Sequence, residues 1–246
     1  KEARISDTST AHRTASDWVY GLPELEKERR EKIRGSRRIA VPGCHATGMI
    51  LLTRPLIDEG IINSSYPICG TSLTGFSGGG KKMIADYRSD TAPESMKSPG
   101  IYGLTQVHKH LPEIVAMTGL VSPPVFLPVV GDYYSGMVVT IPLHIKSLEK
   151  KITKSDMVEI FKTRYEGEAF IEVMETEEET KFLYGNEMAD RYDMRIYISG
   201  NDERVTLSAT YDNLGKGASG AAIQNMNIML GIEEGFGLLG NKDSEQ

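Results

Sequence analysis

Five extended, β-rich runs dominate the middle of this chain, and few helical segments separate them. The runs cover residues 66–74, 125–130, 137–145, 194–199 and 205–211. Helices are predicted only over residues 111–118 and 155–165, the second with Thr153 or Ser155 as its cap. Because consecutive strands with few helices between them usually pair as neighbours, the pattern predicts a mostly antiparallel sheet in an α+β domain.

The first 60 residues follow a different, α/β pattern. A strand is predicted at residues 4–7, a charged helix at 23–34 and a second strand at 37–41. An apolar helix then runs from about His45 to Glu59 and ends before a glycine. Strands that alternate with helices in this way are typical of a parallel sheet covered by helices.

Cys44 lies between the second predicted strand and the first turn of the apolar helix, directly after Pro42 and Gly43. The unpaired N–H groups and partial positive charge of a helix start favour a thiolate, which is the nucleophilic form. A buried structural thiol is the alternative, and we predict it for Cys69, which lies in an apolar run. Two cysteines are too few for a four-ligand zinc site, and no metal site is predicted.

A thiol nucleophile needs a group that transfers protons, and His108 and His110 flank Lys109 just before a predicted helix. A histidine at a helix start is held by rigid backbone, and a nearby carboxylate such as Glu113 can orient it for acid–base work. A surface helix cap is an equally good interpretation from the residues alone. His144 lies in a strand pattern and is predicted to be structural.

Two further segments could bind an anion. Residues 75–82 nearly match the phosphate loop of nucleotide-binding proteins, but Lys82 stands where a hydroxyl group should bind magnesium, which excludes an ATP site. Backbone N–H groups and the two lysines, Lys81 and Lys82, could still bind a phosphate or carboxylate, although a surface loop is the alternative. Arg13 ends a second cationic loop, where open α/β sheets place ligand contacts.

The charge balance excludes one broad class of partner. With 28 basic and 34 acidic residues, the net charge of −6 argues against a general nucleic-acid binder, whose affinity comes from neutralising phosphates. No apolar run approaches the roughly 20 residues that cross a bilayer, and no signal-type apolar stretch follows the first residues. We expect a cytoplasmic protein that acts on a small molecule and binds neither nucleic acid nor membrane.

Five segments occur in the order typical of one enzyme family and resemble the shorter subgroup of the N-acetyl-γ-glutamyl-phosphate reductases. They are residues 7–13, 42–48, 75–82, 108–114 and 212–220. The Pro-Gly-Cys motif that ends at Cys44, together with the His-x-Pro-Glu-Ile motif that begins at His110, is highly specific, whereas each glycine-rich segment alone is weak evidence. The family commonly has Asn where this chain has Val41.

The resemblance implies a fold of two parts, similar to aspartate-semialdehyde and glyceraldehyde-phosphate dehydrogenases. Residues 1–43 would be the C-terminal part of a Rossmann-type NADP-binding domain, and residues 44–212 an α+β domain for catalysis and oligomerisation. Residues 213–246 would be a linker and a helix that returns to the cofactor domain. No glycine fingerprint precedes residue 44, so on the order of 60 residues of the cofactor domain are expected to be absent, and NADPH binding by this chain alone to be weak.

The resemblance also implies a reaction, the NADPH-dependent reduction of N-acetyl-γ-glutamyl phosphate to N-acetyl-glutamate semialdehyde in arginine biosynthesis. Cys44 would be the nucleophile that forms a thioester, and His110 the acid–base residue, in a homodimer or homotetramer. Substrate contacts are expected from Arg13, Ser77, Gly78, Lys81, Lys82 and Glu113, and contacts to NADP from Gly43, Asn213, Lys216 and Gly217. A reductase similar to aspartate-semialdehyde dehydrogenase and a non-catalytic assembly subunit remain the alternatives.

Overall fold

The computed structural model describes residues 3–174 and 180–238, and its strands form two sheets. The smaller sheet contains β1 (Ile5–Asp7), β2 (Val19–Tyr20) and β3 (Arg38–Ala40), all parallel, in the order β1-β3-β2. Helix α1 (Arg29–Gly35) connects β2 to β3. The α/β prediction for the first part of the chain is therefore confirmed, and the carboxyl ends of all three strands lie at one edge.

The larger sheet has seven strands in the order β5-β6-β4-β7-β10-β9-β8. Their bounds are β4 (Cys69–Gly75), β5 (Gly100–Ile101), β6 (Val125–Gly131), β7 (Met137–His144), β8 (Ile171–Met174), β9 (Met194–Gly200) and β10 (Arg204–Tyr211). Neighbouring strands are antiparallel except in the pairs β4–β6 and β8–β9. The predicted mostly antiparallel α+β domain is confirmed.

Helix α2 (Cys44–Asp58) occupies the centre of the molecule and is buried along most of its length. It packs against β7, β10, α4 (Leu111–Thr118) and α5 (Lys154–Arg164), within one large hydrophobic cluster. Since α2 follows β3 after only three residues, its first residue lies between the two sheets. The short connection therefore restricts the position of the Cys44 side chain to the region where the two sheets meet.

Some elements differ from the prediction. The helix predicted over 23–34 is divided, because Pro23–Leu25 forms a separate 3-10 turn in which Leu25 is buried in the main core and Glu24 binds Lys216. Tertiary contacts of this kind override helix propensity. The glycine-rich segment forms a 3-10 turn (Phe76–Gly79) that leads into helix α3 (Gly80–Tyr87), and strands β2, β5 and β8 were not predicted. The expected cap is confirmed at Thr153, whose side chain accepts from Asp156 N–H.

After β10 the chain forms a π-helical turn (Gly215–Ser219) and then α6 (Gly220–Leu230), which packs against α1 and β1. Ile228 and Met229 of α6 form a small second cluster with Ile33 and Ile39. The predicted division at residues 43 and 212 stays a prediction, and residues 239–246 of its last segment lie outside the described residues. No helix within the described ranges is long and apolar enough to span a membrane.

The packing of Gly48 in α2 gives a stability prediction. A methyl group added there would lie 2.7 Å from the Tyr211 hydroxyl oxygen and 2.8 Å from Val139 Cγ2. We expect Gly48→Ala to lower the free energy of unfolding by about 1–3 kcal/mol through overpacking. Gly35→Ala in α1, where a methyl group meets nothing within 4 Å, should be neutral or stabilising. Urea unfolding measures both, and equal midpoints for the two variants would contradict this.

Candidate active site

A cavity of about 280 Å³ opens where the carboxyl ends of β1 and β3 meet the starts of α2 and α4. Each of the five segments that carry the family resemblance contributes to its wall. The contributions include Thr8 and Arg13, residues 42–45, residues 77–80, residues 108–110, and Asn213 with Gly217. Segments that are distant in sequence therefore meet at one place, as their shared resemblance predicts.

Cys44 is the first residue of α2, is half-buried and lines the cavity. Two glycines confine its surroundings. A methyl group at Gly43 would lie 2.4 Å from His110 Nε2, and one at Gly217 would lie 2.8 Å from Cys44 Cβ. Both positions therefore need glycine so that the His110 ring and the π-helical turn can approach the cysteine.

His110, at the start of α4, is buried beside the cysteine. The Cys44 sulfur, one ring nitrogen of His45 and one of His110 all lie within 4.8 Å of one another. A thiol and two imidazoles at this spacing could hold a metal ion. Both ring nitrogens of His45 are, however, hydrogen-bonded to hydroxyl groups, so metal binding there would have to break one of these bonds.

The direction of the Cys44 pKa shift is opposite to the one expected for a thiolate. Burial raises the pKa of Cys44 to about 11, which the backbone N–H of His45 and the charges of Lys109 and Arg13 only partly offset. Burial, with the nearby positive groups, also holds the pKa of His110 well below its ordinary value of 6.5. Burial thus opposes the helix dipole and favours a neutral thiol beside a neutral imidazole, whereas the expected thiolate stays a prediction.

Arg13 lines the cavity, but much of its guanidinium group is bound internally. Its Nε donates to the Val41 carbonyl at 2.9 Å, one terminal nitrogen donates to Glu113 at 2.7 Å, and the other donates to the Thr8 carbonyl at 2.9 Å. A guanidinium group has five N–H donors, so two remain for a ligand. Arg13 thus joins the first cationic loop to α4 as well as facing the cavity.

Glu113 neither orients His110 nor lines the cavity, contrary to the expected acid–base and substrate-binding roles. Its second carboxylate oxygen accepts from the Tyr20 hydroxyl at 2.6 Å and from Gly43 N–H at 3.0 Å. In the described part of the chain, His110 Nδ1 is buried without a hydrogen-bond partner. Glu113 is placed behind the turn that precedes Cys44, where the ion pair with Arg13 and the bond to Gly43 hold that turn in position.

The glycine-rich segment contributes backbone rather than lysine side chains. Ser77 and Asn213 are buried at the cavity wall, where Asn213 Nδ2 donates to Ser77 Oγ at 2.9 Å. Gly78 is exposed and lines the cavity, so no side chain of its own separates its backbone from a ligand. Lys81 and Lys82 are exposed on α3 and are not among the residues that line the cavity.

Lys216 was expected to contact the cofactor, but the structure places its side chain away from the cavity wall. Its Nζ is buried and donates to Glu24 at 2.6 Å and to Gln224 at 2.7 Å. This buried pair holds the π-helical turn, whose Gly217 packs against Cys44.

The cavity residues that were not predicted include three that could act on a ligand, namely His45, Tyr102 and Lys109. Lys109 lies between His108 and His110, so its place at the cavity could have been predicted from these two neighbours. No local pattern predicted Tyr102, because it reaches His45 only when β5 and the residue after it pair with β6.

The buried histidines predict a loss of stability in acid. Burial lowers the pKa of His45 from 6.5 to about 3, so below 6.5 the unfolded chain binds a proton that the folded chain excludes. Each such histidine should lower the free energy of unfolding by up to about 1.4 kcal/mol per pH unit. His45→Gln should reduce this slope, and His144→Gln at an exposed position should not. Urea unfolding between neutral pH and about pH 5.5 measures the slopes, and an unchanged slope for His45→Gln would contradict this.

Comparisons with known proteins identify the family of this chain. A family model described as semialdehyde dehydrogenase, dimerisation domain, matches residues 44–213. The N-acetyl-gamma-glutamyl-phosphate reductase of Sinorhizobium medicae is 43% identical over 92% of this chain and 75% of its own length. The N-acetyl-gamma-glutamyl-phosphate reductase 2 of a Nostoc species is 41% identical, over 96% of this chain and 77% of its own.

Solved structures show the same fold at lower identity. Aspartate semialdehyde dehydrogenase II from Vibrio cholerae aligns with a TM-score of 0.68 and 16% identity, over 92% of this chain and 72% of that chain. This likeness concerns the fold alone, whereas the sequence relatives are similar enough to identify the family. The chain belongs to the N-acetyl-γ-glutamyl-phosphate reductases.

Proposed function

We propose that this chain catalyses the NADPH-dependent reduction of N-acetyl-γ-glutamyl phosphate to N-acetyl-glutamate semialdehyde and phosphate, a step of arginine biosynthesis. The observation that carries the proposal is the Cys44 sulfur within 4.8 Å of a ring nitrogen of His110, in a cavity formed by the family's own motifs. The substrate is inferred from the names of the relatives, and Cys44 and His110 are the nucleophile and the base.

An acyl phosphate with several negative charges needs local positive groups in a protein of net charge −6. Arg13, with its two remaining donors, and Lys109 line the cavity and are suited to this role. The Ser77 N–H already donates to the Tyr134 carbonyl, but the Ser77 hydroxyl accepts from Asn213 Nδ2 and so keeps its own proton to donate to a phosphate oxygen. Lys81 and Lys82, which lie outside the cavity wall, are better placed to attract the anion from solution than to bind it.

The first chemical step is acyl transfer to sulfur. His110, neutral at rest, accepts the Cys44 proton as the sulfur attacks the γ-acyl carbon, and it passes this proton to the departing phosphate oxygen. The carbon–oxygen bond to phosphate breaks and a thioester forms. Backbone N–H groups at the start of α2, such as that of His45, are placed to stabilise the developing oxyanion.

The cofactor fits the edge where the small parallel sheet meets the cavity. Thr8 and Gly43 follow the carboxyl ends of β1 and β3, where open α/β sheets bind ligands, and Leu214 and Ala218 line the adjacent wall. These residues would hold the nicotinamide half of NADP. When bound, NADPH supplies hydride to the acyl carbon. The thiohemiacetal on Cys44 then releases the aldehyde, and His110 returns a proton from solvent to the sulfur.

The proposal includes an assembly through residues 44–212 as a homodimer or homotetramer. The matching family model is described as a dimerisation domain, and Ile101 and Val125 are more than half exposed at one side of the large sheet. Light scattering after gel filtration tests this, and a monomer at micromolar concentration would exclude the assembly.

Phosphate release tests the substrate assignment without depending on NADPH. Because acyl transfer precedes reduction, N-acetyl-γ-glutamyl phosphate should give a burst of one phosphate per active site. β-Aspartyl phosphate should react at least about 100-fold more slowly, because it lacks the acetyl group and one methylene of the chain. A faster burst with β-aspartyl phosphate would favour an enzyme of the aspartate-semialdehyde type. No burst with either compound would favour a non-catalytic subunit.

A further inference from the structure

A buried chain of hydrogen bonds ends at the cavity beside the nucleophile. Ser72 Oγ lies 2.7 Å from His45 Nδ1, and His45 Nε2 lies 2.6 Å from the Tyr102 hydroxyl oxygen. We propose that Tyr102 is a substrate-binding residue whose hydroxyl donates a hydrogen bond into the cavity, and that His45 and Ser72 set the direction of that donor. The inference rests on the proposed function and adds a residue to it.

The direction follows from the buried end of the chain. Ser72, on β4, is fully buried, and His45 Nδ1 is the one hydrogen-bond partner of its hydroxyl among the described residues. If Nδ1 carried the ring proton, Ser72 would have to accept, and its own proton would be buried without an acceptor. That arrangement costs about 1–3 kcal/mol. Ser72 therefore donates to Nδ1.

The ring carries one proton, and it must then be on the other nitrogen. Burial, reinforced by His108 and Lys109, lowers the pKa of His45 to about 3, so the ring is neutral near neutral pH. Its Nε2–H donates to the Tyr102 oxygen, which acts as the acceptor. Burial raises the pKa of Tyr102 well above its usual range, so the phenol keeps its proton. That proton is directed away from His45.

The position of Tyr102 makes this donor useful. Tyr102 is half-buried and lines the same cavity as Cys44 and His110. A ring nitrogen of His45 lies within 4.8 Å of the Cys44 sulfur, and the phenol oxygen is one hydrogen bond beyond the ring. A substrate bonded to this sulfur extends over such distances. The donor is therefore suited to an acceptor oxygen on the acyl chain, beyond the carbon that Cys44 attacks.

Kinetics of three variants test the binding role. Tyr102→Phe should raise KM about 10-fold, as loss of a hydrogen bond to a charged or carbonyl oxygen predicts, and should change kcat by less than about 3-fold. Ser72→Ala should raise KM by a smaller factor, because Tyr102 can then turn its proton toward His45. Ser72→Thr should restore the wild-type KM. Thr71→Ala, which removes an exposed hydroxyl from the adjacent position of β4, is the matched control and should change neither constant.

The double variant separates a relay from general damage. If Ser72 acts through Tyr102, then Ser72→Ala combined with Tyr102→Phe should have the KM of Tyr102→Phe alone. Additive effects, or an unchanged KM for Tyr102→Phe, would overturn the proposal.

A measurement on the unmodified protein needs neither substrate nor variants. Long-range proton–nitrogen correlation NMR of labelled histidines should show His45 as the tautomer protonated at Nε2. The tautomer protonated at Nδ1 would overturn the inference while leaving the proposed function intact. A wild-type protein without a phosphate burst would instead contradict the proposed function, whatever the tautomer.

Discussion

Replacing Cys44 with serine is expected to lower kcat/KM for N-acetyl-γ-glutamyl phosphate by on the order of 10⁴-fold or more. A serine hydroxyl is a far weaker nucleophile than a thiol beside the same neutral base. The fold should persist, because the Tyr211 hydroxyl bonds the backbone carbonyl of residue 44 at 2.6 Å and does not depend on the side chain. The readouts are the phosphate burst, the oxidation of NADPH and the urea unfolding midpoint.

Cys69→Ser is the matched control for this substitution. Cys69 is also half-buried but is not among the residues that line the cavity, so its replacement should leave turnover unchanged within about 3-fold. If Cys44→Ser kept a full phosphate burst while Cys69→Ser lost it, the assignment of the nucleophile would be wrong.

Replacing His110 with asparagine is expected to lower kcat by about 10²–10⁴-fold with little change in KM. The reason is the protonation of the free site, in which a thiol with a pKa of about 11 needs a base to accept its proton during attack. Since burial lowers the pKa of His110 well below 6.5, the imidazole stays neutral and able to accept a proton into mildly acidic solution. Activity should therefore decline only below the ordinary titration range of histidine.

Steady-state kinetics over that range provide the measurement. His144→Asn, at an exposed position on β7, is the control and should match the wild type. A large increase in KM with kcat unchanged would make His110 a binding residue. An activity that falls already as pH drops through 6.5 would show that the folded protein does not hold the imidazole neutral.

Local sequence patterns were enough to place the two central residues. The apolar helix after Pro42 and Gly43 put Cys44 at a helix start, and the structure begins α2 at that residue. Pro112 and Gly119 bound α4 as its predicted range requires, and this places His110 at the helix cap. Caps and helical periodicity act over a few residues, so a sequence reports them directly.

Properties that depend on distant contacts could not be predicted in this way. The pKa of Cys44 is raised by burial among elements that are distant in sequence, which no local motif records. Glu113 is three residues from His110 in sequence, yet it binds Arg13 and Gly43, which approach only when the sheets assemble. The family resemblance implied that Lys216 contacts NADP, but its ammonium group is paired with Glu24, a buried carboxylate distant in sequence.

Burial favours the neutral forms of both Cys44 and His110. A thiol held neutral by burial requires that proton transfer to His110 accompany the attack on the substrate. Glu113, which is paired with Arg13, also accepts a hydrogen bond from Gly43 N–H. These two contacts hold the residue before Cys44 and so stabilise the start of α2.

The acyl-enzyme on Cys44 is the most direct test of the account. The protein is mixed with N-acetyl-γ-glutamyl phosphate in the absence of NADPH, quenched in acid and digested, and its peptides are mapped by mass spectrometry. We predict an N-acetyl-glutamyl thioester on the peptide that contains Cys44, removable by hydroxylamine, with one phosphate released per adduct. Phosphate release without an adduct, or an adduct on any other residue, would contradict the account.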